Sequence, residues 1–84
     1  MKVTVLGSHL CPDTLYALCK LREKDIEVDF KDLSSSLGAL KKYLSYRQSL
    51  DMYKDIREAG GIGIPCFTLE DGTQTLDLNE VLAK

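Results

Sequence analysis

The chain has 84 residues, with 11 Lys and Arg against 13 Asp and Glu for a formal net charge of −2. That length allows one domain, and a domain this small buries only about 60% or slightly more of its unfolded surface. The near balance of charge argues against a nucleic-acid footprint, and no apolar run is long enough to span a bilayer.

Lys2 to Leu6 alternates with β-branched residues and predicts a short strand. Gly7, Ser8 and His9 end it. Pro12 suits the first turn of a helix, where its missing N–H costs nothing. That helix is expected to run to about Lys24, with Leu15, Leu18, Cys19, Ala17 and Leu21 supplying its apolar face. Ile26 to Phe30 alternates with period two and predicts a second strand, parallel to the first in a right-handed βαβ unit.

Ser34 to Ser36 form a loop that supplies a helix cap. The following helix presents Leu37, Leu40, Leu44 and Tyr43 to the core. Ser49 is expected to cap a further helix with Met52, Tyr53, Ile56 and Ala59, ended by Gly60 and Gly61. One bent helix or two both fit residues 37 to 59. Ile64 to Leu69 is a third strand with Pro65 at its start. Asp71-Gly72 signals a hairpin, returning as a strand from Thr73 to Asp77. Leu78 to Lys84 closes the chain as a short helix with Leu78, Val81 and Leu82 inward. The order β-α-β-α-β-β-α makes one α/β domain over residues 1–84 with a four-stranded mixed sheet.

Chemistry concentrates at Cys11, which opens the first helix in Cys11-Pro12-Asp13-Thr14. Unpaired backbone N–H groups and the helix dipole favour negative charge there, and a thiolate is the nucleophilic form of cysteine. A half-buried cysteine after a strand is the structural alternative.

The second motif is Ile62-Gly63-Ile64-Pro65-Cys66. A strand, then Cys-Pro opening a helix, then a hydrophobic-Pro step opening a later strand resembles the thioredoxin superfamily. The short chain is similar to glutaredoxin, and Cys-Pro-Asp-Thr with Gly-Ile-Pro-Cys resembles small glutaredoxin-related proteins. The resemblance implies a thioredoxin-like fold of glutaredoxin type. It implies a cis Pro65 beside the reactive sulfur, and backbone at Ile64 that pairs with a bound peptide or glutathione. It also implies a thiol–disulfide oxidoreductase with no tightly bound cofactor; with no targeting segment visible, a cytoplasmic location is the default expectation, and a monomer is expected. Its substrates would be a disulfide-bearing protein or a glutathione mixed disulfide, with glutathione as co-substrate.

The chain departs from glutaredoxin in three places. Thr14 replaces a second cysteine; its hydroxyl suits a hydrogen bond to the Cys11 thiolate. Leu76-Asp77-Leu78-Asn79 is a poor match to the glutathione-binding stretch, so Asp77 and Asn79 either meet a ligand or only cap the last helix. The middle region is long, and its Lys41, Lys42, Arg47, Lys54 and Arg57 read as a solvated helical face, with Arg47 a candidate for an anion.

Cys66 is a candidate resolving thiol, or a core residue if the strand turns it inward. Cys19 lies about 12 Å beyond Cys11 along the helix and is expected in the core. His9 is a surface residue or local hydrogen-bond partner. With Cys11 and Cys66 it offers three possible ligands but no Cys-x-x-Cys pair, so no metal site is expected. Two alternatives remain. One is a single-cysteine module sharing an iron–sulfur cluster or metal. The other is an arsenate-reductase-like thiol enzyme.

Overall fold

The computed structural model describes residues 1–84. The elements are β1 (Lys2–Gly7), α1 (Pro12–Glu23), β2 (Glu27–Asp32), α2 (Leu37–Ser49), α3 (Lys54–Ala59), β3 (Cys66–Thr68), β4 (Gln74–Thr75) and α4 (Leu78–Leu82). A 3-10 turn at Asp51–Tyr53 leads into α3. The sheet order is β2-β1-β3-β4, with β1 parallel to β2 and antiparallel to β3, and β3 antiparallel to β4. The fold is therefore α/β around a four-stranded mixed sheet. No helix is long and apolar enough to cross a membrane.

The sheet separates two cores because successive strand residues point to opposite faces. Val3 and Val5 of β1 and Phe67 of β3 pack with Ala17 and Leu21 of α1 and with Val81 of α4. Leu6 and Cys66, opposite each other in the β1–β3 ladder, pack on the other face with Ala39, Tyr43 and Tyr53. Leu78 and Leu82 join the first core from α4, as the sequence suggests.

The face of α1 differs from expectation. Thr14, Ala17 and Leu21 are its buried residues, whereas Leu15 and Cys19 are exposed. Gly7 explains the choice: a Cβ there would stand 2.6 Å from the Thr14 hydroxyl oxygen. This close approach seats Thr14 against the end of β1 and fixes the rotation of the helix. Cys19 is therefore a surface thiol and not a core residue.

Residues 37 to 59 form two helices. Ser36 caps α2 by accepting from the Ala39 N–H at 3.2 Å, and the extended backbone of Leu50 ends it. Ser49 does not cap the next helix; its hydroxyl donates to the Ser45 carbonyl at 2.7 Å, inside α2. Leu37 and Leu44 point outward, because the α2 residues that reach the sheet are Ala39 and Tyr43. Strands β3 and β4 are shorter than the alternation suggests. Pro65 has no N–H for a ladder, so β3 begins only at Cys66. The turn is the expected one: Gly72 takes φ of 89°, and the Asp71 carboxylate accepts from the Thr73 N–H at 2.9 Å.

Candidate functional site

Cys11 is the N-cap residue of α1, with extended backbone and Pro12 as the first helical residue. Its carbonyl accepts the first helical bond from Leu15 N–H at 3.1 Å, and its own N–H donates to the Ser8 carbonyl at 3.0 Å. The turn before it is held by side chains. The Ser8 and Ser34 hydroxyls meet at 2.5 Å, and the Ser8 hydroxyl accepts from the Leu10 N–H at 3.1 Å. His9 is the local partner anticipated: its Nδ1 lies 2.6 Å from a carboxylate oxygen of Asp32. Despite some desolvation, hydrogen bonds from His9, Ser34 and Ser35 hold the Asp32 carboxyl below its ordinary range.

Cys11 opens into a cleft of ≈ 540 Å³ bounded by Leu10, Asp13, Leu33, Ile62, Gly63 and Ile64. A second cleft of ≈ 390 Å³ lies beyond Ile64, lined by Asp13, Tyr16, Pro65, Leu76, Leu78 and Asn79 among others. Asp13 and Ile64 border both, so the two clefts adjoin past the start of α1. The Ile64–Pro65 peptide is cis. Neither the N–H nor the carbonyl of Ile64 is engaged in a hydrogen bond within the fold. A third cleft of ≈ 460 Å³ lies between α2 and β2, with Lys31, Asp32 and Lys42 on its walls and no cysteine.

The segment leading to Ile64 is tied from behind by three side chains. The Arg47 guanidinium donates to the Gly61 carbonyl through Nε at 3.1 Å and Nη2 at 2.8 Å. The Tyr43 hydroxyl donates to the Ile62 carbonyl. The Tyr53 hydroxyl donates to the Gly63 carbonyl at 2.7 Å. Arg57 in turn donates to the carbonyls of Arg47 at 2.8 Å and Leu50 at 3.1 Å, bracing the break after α2. Arg47 and Arg57 are thus bound to backbone and are not part of a solvated face; Lys41, Lys42 and Lys54 are exposed as expected. The sequence held a signal for this clamp in the two tyrosines and two arginines spaced through residues 43 to 57, but their partners lie as many as 19 residues away.

Other expected site residues are placed differently. Thr14 is fully buried, and its hydroxyl accepts from the Ser8 N–H at 3.4 Å and makes no hydrogen bond to Cys11. Its position makes it a packing residue at the β1–α1 junction. Cys66 is fully buried on the sheet face opposite α1. Burial pushes its thiol pKa up, against a hydrogen bond with Tyr53 that lowers it. Cys66 packs with Tyr53 on the sheet face away from α1 and lines neither cleft. Asp77 caps α4 by accepting from Asn79 N–H at 2.9 Å and lines neither cleft, whereas Asn79 does line the second. No three His, Cys, Asp or Glu side chains gather as metal ligands.

A protein of Haemophilus influenzae described as an uncharacterized protein is 30% identical to this chain over 80 residues, covering 95% of this chain and 93% of the relative. No family model matches the chain, and no solved structure matches it significantly. Identity at that level across nearly the full length of both proteins shows that the chain belongs to the same family as the Haemophilus influenzae protein.

Proposed function

We propose that the chain is a thiol–disulfide oxidoreductase related to glutaredoxin, built on a thioredoxin-like fold, with Cys11 as its nucleophile. One observation carries the reading: Cys11, at the first turn of α1, shares a cleft with Ile64, whose main chain has no hydrogen-bond partner within the fold. At the N-cap position Cys11 borders first-turn N–H groups that no helical carbonyl accepts. The free N–H and carbonyl of Ile64 offer an extended substrate strand-like pairing beside the sulfur.

The Cys11 thiolate attacks one sulfur of a substrate disulfide. A Cys11–substrate disulfide forms, the substrate S–S bond breaks, and the departing sulfur leaves as a thiolate that takes a proton from solvent. A thiol from solution then attacks the mixed disulfide and restores Cys11. An external thiol fits this step because Thr14 and Cys66 are both committed to packing.

The test is thiol-dependent reduction of hydroxyethyl disulfide by the full chain. Turnover is expected in the wild type and in Cys19→Ser, and only the uncatalysed rate in Cys11→Ser. Turnover that survives in Cys11→Ser overturns the assignment.

A further inference from the structure

We infer that the Cys11 groove is built for a cysteine on an extended, apolar polypeptide segment carrying a basic residue, and that it discriminates against anionic thiols and disulfides. This inference rests on the reading of Cys11 as a nucleophile. Of all the side chains lining the two clefts, only Asp13 is charged. Asp13 borders both, so any substrate crossing the groove passes its carboxylate. Lys20 stands over the Tyr16 ring at 5.5 Å but pairs with Glu23 at 3.5 Å and lines neither cleft; the other cations lie elsewhere. Lys31 and Lys42 line the separate cleft beside α2, and Arg47 and Arg57 turn to backbone carbonyls. Glutathione carries more carboxylates than ammonium groups and meets no cation lining this groove.

The rest of the groove favours a peptide. Leu10 is 73% exposed and Ile62 62% on the Cys11 side, and Tyr16 is 59% exposed on the far side. Large apolar side chains gathered around one cleft mark a surface that gains by losing water to a partner. Ile64 between them has a free backbone donor and acceptor, the requirement for strand-like pairing with a partner's main chain. A small anionic thiol uses none of these features. The occupant that satisfies all of them is an extended segment with apolar residues flanking its disulfide cysteine and a lysine or arginine facing Asp13. Chemistry at the sulfur is the exchange already described, with an external thiol supplying the reducing equivalents.

The experiment measures mixed-disulfide formation at Cys11 by intact mass in a Cys19→Ser chain at low ionic strength. Three small disulfides are compared: cystamine, hydroxyethyl disulfide and dithiodiglycolate, which are cationic, neutral and anionic. Each rate is divided by the rate with N-acetylcysteine amide, which removes differences in leaving-group chemistry. Cystamine is expected to be about threefold faster than the neutral compound and dithiodiglycolate about threefold slower, the Boltzmann factor for one charge pair about 7 Å apart in water. The spread should shrink in high salt and in Asp13→Asn. A peptide disulfide with lysine beside its cysteine should outrun its glutamate counterpart by a larger factor. Equal normalised rates, or a preference undiminished in Asp13→Asn, overturn the inference while leaving Cys11 a nucleophile. No reaction at Cys11 with any of the three overturns the underlying reading instead.

Discussion

The Tyr53 hydroxyl donates to the Gly63 carbonyl at 2.7 Å, one residue before the Ile64 that lines the Cys11 cleft. Tyr53 is fully buried and stacks edge-on against Tyr43, with ring centroids 6.3 Å apart. The pair therefore serves as core and as clamp together. Tyr53→Phe keeps the ring and deletes the hydroxyl, so the half-buried Gly63 carbonyl and the Cys66 thiol both lose a partner. A loss of about 0.5–1.5 kcal/mol of stability is expected, read from the urea midpoint at unchanged m-value. The freed loop should slow exchange with an extended peptide disulfide more than with hydroxyethyl disulfide, which needs no main-chain pairing. Equal slowing of both substrates would reduce Tyr53 to a core residue.

The element order was legible in the sequence because strand alternation and punctuation were clean at Lys2 to Leu6, Ile26 to Phe30 and Asp71-Gly72. The buried faces of α1 and α2 were not. Apolar residues surround α1 on most sides, so periodicity alone cannot choose between Leu15 and Thr14. The choice is made by a tertiary contact, the bare backbone of Gly7 against Thr14. In α2 the larger leucines misled, because Leu37 and Leu44 are exposed while Ala39 and Tyr43 reach the sheet. The position of Cys11 was readable from Pro12 beside it. The clamp behind Ile64 was not, since Arg47 and Gly61 are 14 residues apart and an arginine near a helix end ordinarily reads as solvated.

Gly63 and Gly60 make a matched pair for testing that clamp. Both have left-handed backbones, with φ of 73° and 74°. A Cβ on Gly60 meets nothing within 4 Å, whereas one on Gly63 would stand 2.6 Å from the Tyr53 ring. Gly60→Ala is expected to cost about 1–2 kcal/mol, the conformational penalty alone. Gly63→Ala adds displacement of a buried ring, for about 1–3 kcal/mol more. Chemical denaturation of the two variants checks this. Equal losses would mean that Tyr53 moves aside at no cost.

The three cysteines occupy three environments, so one reagent distinguishes them. Cys19 is exposed, Cys11 half-buried and Cys66 fully buried. If accessibility alone ruled, iodoacetamide would modify Cys19 first. If Cys11 is the proposed nucleophile, it should react several-fold faster than Cys19 at neutral pH despite its lower exposure. Cys66 should react only on unfolding. Peptide mapping after a short pulse reads all three sites. Cys19 leading Cys11 would remove the chemical basis for the proposed activity.

Cys66 also gives the fold a pH limit on the alkaline side. Burial raises its thiol above the ordinary value of 9.0, and burial raises the Tyr53 phenol likewise. The sign follows from proton counts. Above about pH 9 the unfolded chain loses the Cys66 proton while the folded chain keeps it, so the unfolded state binds fewer protons and stability falls with rising pH. The contribution is whole below the unfolded value and is lost as pH climbs toward the folded one, at up to about 1.4 kcal/mol per pH unit. Cys66→Ala is less stable at neutral pH because it leaves a cavity, yet it lacks this titration. Urea unfolding at pH 8, 9 and 10 should show a shallower decline in the variant than in the wild type, the two stabilities converging as pH rises. Parallel declines would mean that the Cys66 thiol ionises as readily in the folded chain as in the unfolded one.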